Sequence, residues 1–290
     1  MYVEDLRSKL AQEDGGLIVF FGAGVSFGVT RSRGRFDFES HNHGGDTEPF
    51  PSWEALVARM LATLTALPDL HEREAELESF FREQNAFDCA QLFKQQVGDA
   101  DFFEFLRLQY TSARARRTPN HNAITALPVR ELFTTNFDTL LEQAFLERSL
   151  ALTVSVGPEQ FLSRLGAPLP RHLVKLHGTI DQPATIVLTR SQYAASRKGR
   201  VEMFHHLRHR QSSFLFVGYS LRDPNFTLLH DEARLALGAA MPASYLVQGV
   251  ANRVREAYLR SLDVNVITLG SWDWLPNFLT AINPDRELSL

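Results

Sequence analysis

The chain has 290 residues, of which 44% are hydrophobic, and a formal net charge of −4 at pH 7. This length and apolar content suffice for one large domain that carries a sizeable insert. The mixed charges give no basic excess, so we expect no direct binding of nucleic acid. No apolar run reaches the roughly 18 residues that a membrane span needs, and the acidic N-terminus does not resemble a signal peptide. We therefore predict a cytoplasmic protein without a membrane segment.

Short apolar runs bounded by turn signals predict seven buried strands along the chain. Several of these runs are apolar at consecutive positions, which is typical of strands covered on both faces. The predicted strands are 17–21, 131–135, 152–156, 173–176, 214–217, 244–247 and 264–269. The helical patterns that separate most of them are 138–148, 200–210, 224–237, 252–261 and 272–282. This alternation predicts an α/β fold, a Rossmann-like parallel sheet with helices on both faces.

Two segments interrupt the alternation of strand and helix. Residues 52 to about 118 show helical spacing and no strand pattern, so we predict a helical insert between the first and second strands. Residues 29–50 are mostly polar and predict a long loop, and loops of that length in a compact domain are usually functional or disordered. We interpret residues 1–290 as a single domain that contains this insert.

A glycine-rich turn follows the first predicted strand. Gly22 and Gly24 flank Ala23, and Ser26 follows two positions later. Glycines at such a turn let a phosphate approach the backbone, and the start of the next helix offers N–H groups and a positive dipole end. The dinucleotide fingerprint requires a third glycine where this chain has Phe27, so the plain dehydrogenase motif fails. A tight turn between strand and helix, without a ligand, is the alternative interpretation.

Polar residues and glycines also follow three later strands. The three segments are Thr134-Thr135-Asn136-Phe137-Asp138, His177-Gly178 and Gly218-Tyr219-Ser220. Ligands of open parallel sheets bind outside the carboxyl ends of the strands, so these segments and the glycine turn are expected to face one cleft. Each segment also has a simpler interpretation. Asn136 fits a helix N-cap, His177 a hydrogen-bonded turn residue, and Gly218 with Ser220 a turn and a cap.

The order of these four segments resembles the sirtuin-like NAD-binding family. The shared pattern is a strand with a Gly-Ala-Gly-x-Ser turn, a Thr-x-Asn-x-Asp segment, a His-Gly strand end and a late Gly-x-Ser turn. The resemblance covers roughly residues 17–270 and leaves the helical insert poorly matched. More narrowly, the chain is similar to the bacterial branch found in antiphage defence. The segments that carry this narrower resemblance are Pro51-Ser52-Trp53, Ile186-Val187-Leu188-Thr189 with Tyr193, and residues 218–224.

The chain departs from the family in its cysteines. Protein-deacylating sirtuins carry four zinc-binding cysteines in a small domain, whereas Cys89 is the only cysteine here and lies in the predicted insert. We therefore expect no zinc and no internal disulfide, with the helical insert in place of the zinc module. The Asp-Phe-Arg stretch that follows the glycine turn in sirtuins is not recognisable, because Phe36-Asp37-Phe38 is a poor substitute.

The resemblance implies that NAD is the substrate and assigns residues to it. Asn136 would hold the ribose and the attacking water, Asp138 would bind the carboxamide, and His177 would contact the ribose hydroxyls as a general base. The other residues implied to bind NAD are Gly22, Ala23, Gly24 and Ser26 at the pyrophosphate, Gly218 and Ser220 at the phosphate and adenosine ribose, and Thr135. Nicotinamide leaves as a neutral molecule, so the catalytic demand is to stabilise an oxocarbenium-like ribose and place the nucleophile.

With water as the nucleophile, the resemblance implies an NAD hydrolase that yields nicotinamide and ADP-ribose and depletes NAD during phage infection. Such an activity requires control, so the resemblance also implies a homo-oligomer or a partner, such as a HerA-type hexameric ATPase or a short Argonaute. Two alternatives remain open. One is a non-catalytic module that binds NAD or ADP-ribose as a scaffold. The other is an NAD-dependent protein deacylase, which the missing cysteines disfavour.

Overall fold

The fold is built on a seven-stranded parallel sheet, seen in a computed structural model that describes residues 2–12, 16–26, 29–32, 47–110, 117–209, 213–219, 221, 238 and 242–285. The strands are β1 (Leu17–Phe21), β2 (Thr30–Ser32), β3 (Thr47–Pro49), β4 (Glu131–Thr134), β5 (Thr153–Val156), β6 (His172–Lys175), β7 (Ser213–Val217), β8 (Ser244–Gln248) and β9 (Val264–Thr268). The main sheet has the order β5-β6-β4-β1-β7-β8-β9, and all its neighbouring pairs are parallel. The predicted parallel sheet is confirmed.

Helices cover both faces of this sheet. They are α1 (Tyr2–Leu10), α2 (Trp53–Thr65), α3 (Pro68–His71), α4 (Glu74–Glu83), α5 (Ala86–Tyr110), α6 (Pro119–Ala126), α7 (Leu140–Glu147), α8 (Pro158–Leu162), α9 (Arg190–Ala195), α10 (Arg197–His209), α11 (Arg253–Ser261) and α12 (Leu275–Ala281). The helix predicted over residues 224–237 lies outside the described residues. Within the described part of the chain, no helix combines the length and apolar character that crossing a membrane requires.

The alternation of side chains along each strand divides the core between the two faces of the sheet. In β1, Val19 and Phe21 belong to a core that α1, α6, α7 and α12 complete. Ile18 and Phe20 belong to a second core, with α8, α10 and α11. Every residue of β1 is buried, as a central strand covered on both faces requires and as its unbroken apolar run predicts.

The strand order reverses at β1. β4, β6 and β5 lie on one side of β1, whereas β7, β8 and β9 lie on the other. In open parallel sheets the crevice at such a reversal, outside the carboxyl ends of the strands, is where ligands bind. The loops that follow β1, β4, β6 and β7 all leave the sheet at this edge, which makes the edge the place to look for a functional site.

Helices α2 to α5 lie between β3 and β4 in the chain and share a core of their own. Leu56 and Met60 of α2 pack in this core with Phe93 and Phe102 of α5. α5 is interrupted at Gly98, where the backbone is non-helical, with φ 82° and ψ 169°. We interpret this helical region as an insert, over about residues 52–118, within a single domain.

Residues 29–50, predicted as a long loop, begin and end with short strands. β2 and β3 pair antiparallel, with Thr30 opposite Pro49. Next to this pair, the Phe50 N–H donates to the Val29 carbonyl at 3.2 Å. The loop prediction was wrong at these ends because three-residue strands are too short to show a periodicity. Residues 33–46 lie outside the described residues.

Candidate active site

The glycine turn after β1 packs directly against the backbone that follows β7. The Gly22 N–H donates to the Val217 carbonyl at 3.0 Å, and the Gly24 N–H donates to the Gly218 carbonyl at 2.9 Å. A Cβ atom added at Gly22 would lie 2.4 Å from the Gly218 carbonyl oxygen, and Gly218 itself has φ +63°. The contact between these two loops therefore requires the glycines, independently of any phosphate that binds above them.

The turn continues as a 3₁₀ helix over Ala23–Ser26, where the sequence predicts the start of an α-helix. Ala23 is exposed and Gly24 is half-buried, whereas Ser26 is buried. Asn120, at the start of α6, donates from Nδ2 to the Val25 carbonyl at 3.1 Å. The flank of the turn is thus fixed to α6, and the backbone of Ala23 and Gly24 is its accessible part.

Replacing Gly22 by alanine is expected to lower the free energy of unfolding. The added methyl group would overlap the Gly218 carbonyl and the Tyr219 Cα, which are backbone atoms that cannot turn aside. Forced overpacking of this kind costs about 1–3 kcal/mol. Urea unfolding followed by circular dichroism measures the loss, with Gly16→Ala as the control because its methyl group first meets the flexible Gln12 side chain. Equal stability of Gly22→Ala and the wild type would show that the two loops are not in contact.

Asn136, Ser26 and Asp138 form a hydrogen-bonded chain across the ends of β1 and β4. Asn136 Nδ2 donates to Ser26 Oγ at 3.3 Å, and Ser26 Oγ donates to Asp138 Oδ2 at 3.4 Å. The Asn136 N–H donates to Thr134 Oγ1 at 3.1 Å, which fixes the backbone of the residue. Asp138 is buried and Asn136 is half-buried. Three of the predicted site residues are therefore linked by hydrogen bonds, with Ser26 between Asn136 and Asp138.

Asn136 does not cap the following helix. α7 begins at Leu140, whose N–H donates to Asp138 Oδ1 at 3.1 Å. Asp138 is thus the side chain that satisfies the first turn of α7, while Asn136 lies two residues earlier in the chain. Thr135 extends the pairing of β4 with β1, because its N–H donates to the Phe21 carbonyl at 3.3 Å. The N-cap interpretation therefore does not apply to Asn136, because the N-cap residue of α7 is Thr139.

A buried lysine on the neighbouring strand supports this loop. Lys175 ends β6 with 1% of its side chain exposed. Its ammonium donates to the Asp138 and Phe137 carbonyls and to Glu142 Oε1, the last at 2.7 Å. Burial raises the pKa of Glu142, and the charge of Lys175 opposes that rise. A buried ammonium must be paired and hydrogen-bonded, so the loop that carries Asn136 is fixed to β6.

A small cleft lies between the ends of β1 and β4 and the helices α6 and α7. Its lining consists of Phe21, Val25, His121, Thr134, Asn136, Asp138, Leu141 and Glu142. His121 is buried, and burial lowers its pKa despite the nearby Asp138 carboxylate. Its Nδ1 accepts from the Thr118 N–H at 3.3 Å, as part of the capping box that begins α6. His121 therefore stabilises the start of α6, the helix whose Asn120 contacts the glycine turn.

His177 follows β6, the strand next to β4. It is 4% exposed, and its Nε2 lies 3.0 Å from the Tyr193 hydroxyl on α9. The loop after β6 is also joined to the loop after β4, since the Ile180 N–H donates to the Phe137 carbonyl at 2.9 Å. His177 is thus a hydrogen-bonded residue on a loop that is fixed on two sides.

The strand register brings Asn136 and His177 to the same edge of the sheet. Thr134 of β4 is paired with Lys175 of β6, and each site residue follows its paired residue by two positions. Neighbouring strands lie about 4.8 Å apart. The two side chains therefore belong to adjacent loops at one edge, beside the reversal of strand order at β1.

Gly218 contacts the glycine turn, whereas Ser220 and residues 222–237 lie outside the described residues.

Among the residues that the structure describes, no three His, Cys, Asp or Glu side chains are grouped so that they could hold a metal ion. Cys89 is buried in the helical region, where burial raises the pKa of its thiol to about 11. One cysteine cannot supply the four-cysteine module of the deacylases.

One protein family and several curated relatives match part of this chain. A SIR2-like domain matches residues 130–267, a span that contains Asn136, Asp138, His177 and Gly218. The chain is 27% identical over 180 residues to a protein named NAD(+) hydrolase ThsA from Cytobacillus dafuensis, covering 58% of this chain and 34% of that protein. It is 26% identical over 161 residues to NAD(+) hydrolase ThsA from Bacillus cereus (strain MSX-D12), covering 53% and 33%.

A third relative gives the same coverage. The chain is 24% identical over 160 residues to NAD(+) hydrolase ThsA from Enterococcus faecium, covering 54% of this chain and 33% of that protein. The chain thus spans about a third of the length of the curated relatives it matches. The matched part is the half of the chain that carries the loops after β4, β6 and β7.

Proposed function

We propose that this chain, a member of the SIR2-like family, is an NAD hydrolase that cleaves the bond between nicotinamide and ribose. The names of its relatives support NAD as the substrate and hydrolysis as the reaction. The observation that carries the proposal is the hydrogen-bonded chain from Asn136 through Ser26 to Asp138. It joins the turn after β1 to the end of β4, beside the reversal of strand order where an open parallel sheet binds its ligand.

The groups at this edge of the sheet fit the parts of an NAD molecule. Ala23 offers exposed backbone for the pyrophosphate. The Gly24 N–H already donates to the Gly218 carbonyl, and the absence of a Cβ at Gly24 makes room for Gly218, so Gly24 is proposed to contribute by holding the turn in place beside the pyrophosphate. Gly218 and Ser220 are proposed to support the phosphate and the adenosine ribose.

The proposed reaction exchanges one bond at ribose C1′ for another and releases a proton from water. The bond between ribose C1′ and the nicotinamide nitrogen breaks, and its electron pair passes to that nitrogen, which loses its positive charge. C1′ gains oxocarbenium character, and the oxygen of a water molecule forms the new bond there. The proton of the water passes to a base and then to solvent. The products are nicotinamide, ADP-ribose and a proton.

Asn136 is proposed to hold the ribose and the attacking water through its side-chain amide. Ser26 already orients that amide, and a polar group held in place before the reaction stabilises developing charge without reorganisation. Asp138 is proposed to bind the carboxamide, with its carboxylate oriented by Ser26 and by the Leu140 N–H. Thr135 lies on the same loop and is proposed to contact NAD beside them.

His177 is proposed to contact the ribose hydroxyls and to accept a proton as a general base. Histidine is the side chain whose ordinary pKa lies close to neutrality, which suits it to take a proton at cellular pH. His177 lies on the loop adjacent to that of Asn136, so one ribose between the two loops can meet both side chains. The loop that carries His177 is held in place by the hydrogen bond from the Ile180 N–H to the Phe137 carbonyl.

The biological setting is proposed from the resemblance to the antiphage branch. In that setting the enzyme is proposed to deplete NAD in the cytoplasm. Its activity is proposed to be controlled by self-assembly or by a partner such as a HerA-type ATPase or a short Argonaute. A non-catalytic module that binds NAD or ADP-ribose is the competing function. The two functions differ in one measurable property, because a binding module leaves NAD intact.

Nicotinamide release from NAD by the purified protein tests the proposal, with His177→Ala as the diagnostic variant. Loss of a general base lowers turnover by about 10²–10⁴-fold. We therefore expect His177→Ala to release nicotinamide at least about 100-fold more slowly than the wild type. His205→Ala, at an exposed histidine of α10, is the matched control and is expected to keep the wild-type rate.

The competing functions give different outcomes in the same assay. If the wild-type protein binds NAD in calorimetry but releases no nicotinamide, its function is that of the binding module and not of the hydrolase. A His177→Ala variant that releases nicotinamide at the wild-type rate would remove His177 from the mechanism. Loss of acetyl groups from an acetylated peptide, coupled to NAD consumption, would support the NAD-dependent protein deacylase as the function.

A further inference from the structure

Tyr193 contacts His177 inside the protein. The Tyr193 hydroxyl lies 3.0 Å from His177 Nε2, and the two ring centroids are 5.3 Å apart. Tyr193 is 8% exposed and His177 is 4% exposed, so water is largely excluded from the contact. A tyrosine hydroxyl can donate to an imidazole nitrogen or accept from it, so the direction of this hydrogen bond and the position of the imidazole proton are linked.

The backbone that carries Tyr193 is fixed by a capping box at the start of α9. Thr189 Oγ1 accepts from the Gln192 N–H at 3.3 Å, and Gln192 Oε1 accepts from the Thr189 N–H at 2.9 Å. α9 has only six residues, and a helix of that length has little stability without capping and packing. Tyr193 directly follows Gln192, so the box sets the point from which its ring projects.

Contacts from two further helices hold the Tyr193 ring. The Phe87 ring of α5 lies 4.3 Å from it, centroid to centroid. The Arg200 guanidinium of α10 lies 4.4 Å from the Tyr193 centroid, in the arrangement by which an aromatic ring attracts a cation. Arg200 is 3% exposed and also donates from Nη2 to the Leu176 carbonyl at 3.5 Å, the residue before His177. The ring and the backbone beside His177 thus share one buried guanidinium.

We propose that Tyr193 is a positioning residue for His177: the Tyr193 hydroxyl oxygen accepts a hydrogen bond from His177 Nε2–H, which leaves the Nδ1 lone pair for the reaction. This inference rests on the proposed function, in which His177 takes up a proton. A neutral imidazole has one donor and one acceptor nitrogen. Because Nε2 meets a buried tyrosine, the reaction uses Nδ1, and Nδ1 accepts a proton only when the hydrogen is on Nε2. A hydrogen-bond partner on the second nitrogen orients the ring of a functional histidine and fixes its tautomer.

Tyr193→Phe tests this inference, because it removes the hydroxyl and keeps the ring that Phe87 and Arg200 contact. Loss of such an outer hydrogen bond typically lowers activity by about 10–100-fold. We expect kcat for nicotinamide release to fall by about that factor, with KM changed by less than about threefold because Tyr193 is proposed to act through His177 and not on NAD itself. Tyr258→Phe, at an exposed tyrosine of α11, is the matched control with unchanged kcat.

Nitrogen NMR of histidine-labelled protein reads the tautomer without any turnover. The His177 signals, assigned by their loss in His177→Gln, are expected to show a protonated Nε2 and an unprotonated Nδ1 in the wild type. Tyr193→Phe is expected to give a mixture of the two tautomers, with the circular dichroism of the wild type. If the wild type released no nicotinamide, the proposed function would fail while this measurement still decided the role of Tyr193.

Three results would overturn the inference. The first is a wild-type His177 that carries its proton on Nδ1. The second is a Tyr193→Phe variant with the wild-type tautomer, even where its kcat falls, because the hydroxyl would then act in another way. The third is a Tyr193→Phe variant with the wild-type kcat in a protein that turns NAD over.

Discussion

Asn136→Ala is expected to abolish nicotinamide release while leaving the protein folded. The substitution removes the amide that is proposed to hold the ribose and the attacking water. Loss of one polar group of this kind, held in place before the reaction, lowers turnover by about 10²–10³-fold. Asn136 is half-buried and its side chain donates to Ser26 at 3.3 Å, so the free energy of unfolding is expected to change by about 1 kcal/mol.

Chromatography of nicotinamide measures the rate, and thermal unfolding shows that the variant is folded. Asn122→Ala makes the same chemical change at an exposed position of α6 and is expected to keep the wild-type rate. Wild-type release by Asn136→Ala would exclude the amide from the mechanism. Unfolding of the variant at the assay temperature would contradict the expected change of only about 1 kcal/mol in the free energy of unfolding.

Lys175→Met is expected to lower the free energy of unfolding by about 3–5 kcal/mol, the range found when one partner of a buried ion pair is removed. Methionine has a similar length, but it cannot donate to the Asp138 and Phe137 carbonyls or offset the charge of Glu142. The loop that carries Asn136 loses its attachment to β6 at the same time. Nicotinamide release is therefore expected to fall even at temperatures at which the variant is folded.

The stability deficit of Lys175→Met is expected to grow with pH. Burial raises the pKa of Glu142 in the folded protein. A carboxyl group whose folded pKa exceeds its unfolded pKa favours the folded state at low pH, and this contribution is lost as the pH rises above the unfolded value. Without Lys175 the opposing charge is gone and the folded pKa rises further. Urea unfolding at about pH 5 and about pH 8 is expected to show the larger deficit at the higher pH.

Lys198→Met provides the matched control for this measurement, because Lys198 lies on α10 with 90% of its side chain exposed. The exposed ion pair of Lys198 with Glu202 contributes little to stability. Its loss is therefore expected to change the free energy of unfolding by less than about 1 kcal/mol. Equal stability of the two lysine variants would show that Lys175 does not stabilise the fold. A deficit that does not depend on pH would show that Glu142 does not titrate with it.

The parallel sheet could be predicted because several of its strands, such as β1 and β8, are buried on both faces. β1 and β8 are buried at every position, and their apolar runs between turn residues are visible without any knowledge of the partner strands. Other elements carry no comparable signal. β2 and β3 have three residues each, and α8 and α9 have five and six, which is too short for a periodicity.

The candidate site residues could be located from the sequence, but their contacts could not. An asparagine that caps a helix and an asparagine that holds a ribose occupy the same place after a strand, and the contact of Asn136 with Ser26 joins residues 110 positions apart. The glycines of the turn are explained by the approach of Gly218, which also depends on tertiary structure. Lys175 did leave a signal, since a lysine inside an apolar strand needs a buried partner.

Quantification of both products from NAD tests the proposed hydrolysis most directly. The purified protein, over a range of protein concentrations that allows for assembly, is incubated with NAD and the mixture is analysed by liquid chromatography and mass spectrometry. Nicotinamide and ADP-ribose are expected in equal amounts, at a rate that Asn136→Ala abolishes. Recovery of intact NAD at every protein concentration, or equal product formation by Asn136→Ala, would contradict an NAD hydrolase built on this strand edge.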